Sequence, residues 1–192
     1  MKKRWTLALA GLLMIVAALG MQGDLRAAAT GLTANVMISA GGTYSSTVDL
    51  SSTQSTFNLQ KTMALAFGGG ASQANMVFID TRSTAVAEDL DINAGALVDA
   101  FGNTFTIIDM KLLAVCAAAA NTTNVLLGGD AASVPFLDTA ATTTTIKPGG
   151  CRVFTDPSTT GIVVTAATGD IIQIAPSAGT VAYDVLIVGA SS

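Results

Sequence analysis

"VVTAATGDIIQIAPSAGTVAYDVLIVG", residues 163–189, is the stretch whose reading decides the fold class. Branched apolar residues alternate with polar or small ones, and the run breaks at Gly169-Asp170. It therefore reads as two or three strands joined by tight turns. Almost nothing in it could carry out chemistry, so the best-formed part of the chain is scaffold.

Upstream of this stretch the same kind of text recurs. In "NMVFID", Met76, Phe78 and Asp80 alternate with Val77 and Ile79, and "EDLDIN" sets Leu90 and Ile92 on one face against Asp89, Asp91 and Asn93 on the other. "DAFGNTFTIIDMKLLAVCA" turns at Gly102-Asn103 and continues into the longest β-rich run. "TTTTIKPGGCRVFTDP" pivots on Pro148-Gly149-Gly150, where proline presets one torsion and glycine takes the positive one. Short strands spaced roughly 8–12 residues apart with turn residues between them predict an antiparallel sandwich or barrel. Only "AEDLDINAGALVDAFG" could hold a helical turn, and no fixed-period repeat is visible. The expected fold is all-β, an antiparallel, jelly-roll-like β-sandwich with an extended N-terminal arm.

The domain reading follows the composition. Residues 1–29 form an apolar leader and 30–67 an arm with two or three short strands, polar, glycine-broken and loosely alternating. "GGGASQ" opens a flexible glycine-rich linker over 68–74, and 75–192 is the sandwich. The leader "MKKRWTLALAGLLMIVAALGMQGDLRAAAT" has a basic start, an apolar run and a small-residue site at Ala27 and Ala29, the pattern of a secretory signal peptide. A retained anchor and a start at Met21 are the alternatives. A membrane is touched only through this leader if it is not cleaved, and a functional signal would place the protein outside the cell.

Charged residues make up 11% of the chain, against a usual figure of about 25%, so the surface is neutral and hydroxyl-rich and suits coverage by neighbours. The chain contains no histidine, which removes the usual general base and the commonest metal ligand and excludes Ser-His-Asp and Cys-His devices. Beyond the leader the cations Lys61, Arg82, Lys111, Lys147 and Arg152 are scattered singly, which disfavours nucleic acid. The two cysteines, Cys116 and Cys151, permit one disulfide if the chain is exported. The alternative is two buried free thiols.

Glu88, Asp89 and Asp91, with Asn93, resemble the start of a calcium loop, but Ala94 and Ala100 occupy the places of the loop glycine and the closing glutamate, so this is not an EF-hand. The trio is kept as a weak calcium candidate beside the plainer reading of a solvated strand face. "GGGASQ" lacks the lysine of a phosphate loop. Carboxylate pairs for glycoside hydrolysis cannot be placed from sequence, and the tryptophan of an aromatic cleft is missing from the body. No catalytic residue and no cofactor is assigned.

The order of segments "LTANV", "SQANMVFIDTRS", "LVDAFGNTFT", "IKPGG", "FTDP", "GIVVTAATGD" and "VAYDVLIVGAS" resembles a family of small tailed-bacteriophage virion structural proteins, of head-decoration or capsid- or tail-associated type. The resemblance implies a β-sandwich that packs against copies of itself or a capsid, tail or filament lattice, without enzymatic residues. The signal-like leader departs from such proteins. It keeps open an exported bacterial surface or filament protein, or a secreted module that binds a glycan or cell surface.

Overall fold

The computed structural model describes residues 31–48, 51–95 and 97–191, and every regular element among them is a strand. The leader lies outside the described residues. In chain order the strands are β1 (Ala34–Val48), β2 (Ser51–Phe67), β3 (Gln73–Ala74), β4 (Met76–Thr84), β5 (Glu88–Asp91), β6 (Leu97–Val98) and β7 (Thr104–Phe105). They continue as β8 (Asp109–Ala117), β9 (Val125–Gly128), β10 (Thr143–Ile146), β11 (Cys151–Thr155), β12 (Ile162–Val163), β13 (Ile171–Pro176) and β14 (Val181–Ala190).

Two antiparallel sheets form the body. One has the order β11-β8-β14-β4, with β12 added beside β8, and the other has the order β10-β9-β13-β5. They bury one face of each against the other. Phe78, Leu113, Val115, Val185 and Ile187 come from the first sheet, and Leu90, Val125, Leu127, Ile172 and Ile174 from the second. This is the expected all-β antiparallel sandwich, and the period-two alternation of the sequence produces it, since every second side chain meets the opposite sheet. The "AEDLDINAGALVDAFG" stretch supplies β5 and β6 rather than a helical turn. Leu97, Phe105 and Ile107 then seal one end of the core.

Turn chemistry sets the hairpins. Between β10 and β11, Gly150 N–H donates to Lys147 O at 2.8 Å and Gly149 sits at φ +73°, the geometry that Pro148-Gly149 predicts. At the end of β14 the register against β8 slips. Val188 faces Leu112 and Gly189 faces Met110, so Lys111 is the extra residue of a bulge. A side chain at Gly189 would come within 2.5 Å of Asp109 O, so the two strands approach closely there.

The arm differs from the expectation of two or three short strands. It is one long antiparallel ribbon in which β1 and β2 pair continuously from Ala34 opposite Leu65 to Val48 opposite Ser51. Gly42, which reads as a break in the sequence, faces Phe57 and leaves room for its ring, since a Cβ on Gly42 would lie 2.8 Å from Phe57 Cζ. The glycine thus serves the pairing.

The segment expected as a flexible linker is a hydrogen-bonded turn. Ala66 N–H donates to Ser72 O at 3.0 Å, the Gln73 side chain accepts from Gly70 N–H at 2.9 Å, and Ser72 N–H donates to Pro157 O at 2.8 Å. The ribbon is therefore joined to the sandwich through fixed backbone contacts.

Candidate functional site

Direct cross-strand partners lie on the same face of a ribbon, so the register sorts the side chains of β1 and β2 into two sets. One face carries Ala34, Val36, Ile38, Ala40 and Tyr44 of β1 with Leu65, Met63, Leu59 and Phe57 of β2, interrupted by Lys61 opposite Ile38. The other carries Asn35, Met37, Ser39 and Thr43 with Ala64, Thr62, Gln60, Asn58 and Thr56. One face is oily and the other is hydroxyl- and amide-rich.

The root of the apolar face is docked. Leu65 is buried together with Ala74, Leu112 and Val188, and Leu32, Ala34, Val36, Met63 and Val77 pack around them. Leu112, Val188 and Val77 belong to the outer face of the β11-β8-β14-β4 sheet, the face turned away from the sandwich core. Beyond Met63 the same apolar face has no cover among the described residues: Ile38 is 51% exposed, Leu59 55%, Phe57 58% and Tyr44 72%.

The outer sheet face has a matching exposed strip. Registers across four strands align Ile79 with Leu186, Leu186 with Ala114, and Ala114 with Val153, an apolar row immediately next to the row under the ribbon root. Its two ends, Ile79 and Val153, are 66% and 43% exposed. The row after that holds Thr81, Asp184, Cys116 and Cys151. Here Cys116 and Cys151 face each other across β8 and β11 and form a disulfide, and Thr81 Oγ1 donates to Asp184 Oδ1 at 2.6 Å.

The calcium candidates are not brought together. Glu88 turns toward Arg82, whose Nε donates to Oε1 at 2.8 Å, and toward Tyr183, whose hydroxyl donates to Oε2 at 2.8 Å. Asp89 accepts from Gln173 Nε2 at 2.8 Å, and Asp91 closes its own turn through the N–H groups of Asn93 and Ala94. No group of three or more metal-ligating acidic or cysteine side chains is assembled among the described residues.

The sequence reading missed the Arg82-Glu88-Tyr183 group. It links β4 and β14 of one sheet to β5 of the other, and Arg82 also holds Asp80 at 2.8 Å. Burial alone would raise the Glu88 carboxyl, but hydrogen bonds from Arg82 and Tyr183 outweigh it and leave the group below the ordinary glutamate value. The Tyr183 hydroxyl is pushed up, first by burial and then by its bond to the Glu88 carboxylate.

Lys111 was also missed. One of the five cations scattered singly along the body, it is fully buried at the bulge, where Nζ donates to Ser158 O and Thr159 O, both at 2.7 Å. Arg82 and Asp80 line an open cleft with Asp99, and the Lys111 ammonium holds the connection between β11 and β12. No protein-family model, curated protein or solved structure matches the chain.

Proposed function

We propose that this is a non-enzymatic structural protein that assembles with copies of itself, or coats a larger assembly, through the ribbon. The observation that carries the reading is the uncovered distal half of the ribbon's apolar face. A two-stranded hairpin alone is marginal in water and needs a third element against its apolar side. The root has that support in its own sheet, and the distal half needs it from elsewhere.

Magnitudes favour a many-membered assembly over a single contact. Burying an exposed large apolar side chain yields about 1.5–3 kcal/mol, and Ile38, Tyr44, Phe57 and Leu59 are each already about half covered. Together they offer on the order of 3–6 kcal/mol, while association costs at least about 4 kcal/mol in lost freedom. One ribbon contact is therefore close to break-even, whereas a copy that both gives and receives a ribbon is held twice.

The strand order supports a jelly-roll reading. Counting β4, β5, β8, β9, β10, β11, β13 and β14 as the eight body strands, one sheet contains the first, eighth, third and sixth, and the other the second, seventh, fourth and fifth. We infer from this order the jelly roll, an architecture used by viral capsid and lectin domains. With the resemblance to tailed-phage virion proteins, it favours a head-decoration or a capsid- or tail-associated component. Architecture does not fix function by itself, so that assignment rests on analogy.

A second setting is favoured by one specific feature. The Cys116–Cys151 disulfide suits an oxidising compartment, and with the signal-like leader it supports an exported surface or filament subunit built on the same contact.

Size-exclusion chromatography with light scattering on the full chain, beside its Phe57→Asp/Leu59→Asp variant, tests the reading. A multimer for the parent and a smaller species for the variant are expected. A parent that stays monomeric at high concentration would overturn it.

A further inference from the structure

Resting on the reading that the chain self-associates, we infer where the ribbon goes. The distal apolar face of one copy packs on the Ile79-Leu186-Ala114-Val153 row of a second copy, whose ends Ile79 and Val153 are exposed and whose Leu186 borders that copy's own ribbon root. Donor and acceptor surfaces differ, so the contact either closes as a reciprocal pair in which each copy gives and receives a ribbon, or runs head-to-tail into a ring or filament.

Three features of the molecule point to this occupant. The first is continuity: the ribbon's root already packs on the adjacent row of the same sheet face, with Leu65 against Leu112 and Val188, so the distal half repeats a contact this chain is known to make. The second is vacancy on both sides. Ile79 and Val153 are open on the sheet, Leu59 and Phe57 are open on the ribbon, and no described residue of the same chain joins them.

The third is charge. Lys61 is the one charged side chain on the ribbon's apolar face among residues with described side chains, and Asp184 is the one charged side chain in the three outer rows on β4, β14, β8 and β11. Lys61 stands two residues from Leu59 along β2, and Asp184 stands two residues from Leu186 along β14, a step of about 7 Å in each strand. Aligned packing that sets Leu59 over the Leu186 row therefore brings the ammonium toward the carboxylate.

Complementation between broken halves tests the proposal on the full chain. Leu59→Glu removes the donor half and leaves the acceptor row, while Val153→Glu or Ile79→Glu removes the acceptor and leaves the ribbon. Each variant alone is expected to lose assembly at least tenfold in concentration dependence. Mixed one to one, a donor-broken and an acceptor-broken chain keep one intact contact between them and are expected to form, at high concentration, a weak dimer that cannot extend.

A parent that is monomeric sinks the underlying self-association reading. A parent that assembles while the row variants assemble equally well overturns the assigned surface alone. Loss through Leu59→Glu with no effect at Ile79 or Val153 does the same, and shows that the ribbon is covered elsewhere, for instance by residues 1–30 of its own chain. Against misfolding, each variant is checked for a parent-like melting temperature. In addition, Leu59→Cys mixed with Leu186→Cys is expected to form an interchain disulfide under mild oxidation, and a mixture that gives none while the parent assembles overturns the docking.

Discussion

The sandwich and the ribbon are written in the same period-two pattern, yet one is complete within the chain and the other is not. In the sandwich the inner apolar face of each sheet meets the other, so that Phe105 and Ile187 lie fully buried between sheets supplied by one polypeptide. In the ribbon the apolar face is buried only over the first few pairs, and from Ile38 to Tyr44 it faces outward. The difference lies in supply: among the described residues there are two sheets for the sandwich and only one row of a sheet for the ribbon. Cover from the described residues thus ends partway along the ribbon, and on the proposed reading a second copy supplies the rest.

The contrast is broken most severely by removing the same type of side chain from each region. Phe105 is completely buried with its ring centroid 5.7 Å from that of Phe78. Truncation to alanine is expected to cost about 3–5 kcal/mol of folding stability. Phe57→Ala is expected to cost at most about 1 kcal/mol in the dilute chain, as for exposed positions generally, while weakening assembly. Denaturant unfolding of both variants checks this, and equal losses would mean that the ribbon is covered within its own copy.

Leu65 tests the boundary between the two regions. It is buried in the small cluster under the ribbon root, so Leu65→Ala is expected to cost about 2–3 kcal/mol, the low end for a buried leucine, because a satellite cluster can collapse around the gap. The loss should fall on the ribbon. Faster proteolysis within residues 31–67, with the disulfide-bonded sandwich still resistant, is the expected pattern. Uniform loss of protection across both regions would show that root and sandwich unfold as one unit.

Much of this organisation is legible in the sequence, and what is not has physical causes. Leu90 and Ile92, Gly149 in its turn and the terminal strands follow from alternation and turn chemistry, which are local. The ribbon's length was hidden because Gly41-Gly42 and the serine-threonine tract read as breaks, and only cross-strand register reveals that Gly42 accommodates Phe57. Its apolar stripe was partly visible at Ala34, Val36, Ile38, Ala40 and Tyr44, but without the partner strand it looked loose. The disulfide between Cys116 and Cys151 needed the β8–β11 register to choose it over free thiols. The burial of Lys111 was not legible because a bulge, which shifts one residue out of alternation, has no signature in a single strand. The acidic trio looked like a ligand set until their separate partners in β4, β13 and the turn after β5 were in place.

Lys111 probes how the sandwich holds its own loops without help from a neighbour. Its buried ammonium donates to two carbonyls of the connection between β11 and β12, so Lys111→Met keeps the apolar stem and leaves Ser158 O and Thr159 O without that donor. A loss of about 1–3 kcal/mol is expected, with faster amide exchange over residues 156–161. Replacing a buried charge by a similar apolar chain can also be neutral or stabilising. An unchanged or higher midpoint with unchanged exchange would therefore show that the ammonium is not the latch.

The smallest expected effect comes from the Arg82-Glu88-Tyr183 group, which ties the two sheets at an edge the ribbon never reaches. Glu88 is held below its ordinary value in the folded chain, so its contribution is complete above the unfolded value of about 4.5 and is lost as pH falls through the folded value. Asp99 and Asp156 are lowered too, so the parent should lose stability progressively as pH falls, from Glu88 below about 4.5 and from the two aspartates below about 3.8. In Glu88→Gln the amide can still meet Tyr183 and Arg82 but no longer titrates. The variant is expected to be less stable than the parent at pH 7, by about 1 kcal/mol or less as for a partly exposed pair, and the gap should close toward pH 3. Melting curves of both chains across that range decide it: a gap that stays constant with pH would mean that Glu88 stabilises the edge through shape and neutral hydrogen bonds, with no contribution from its charge.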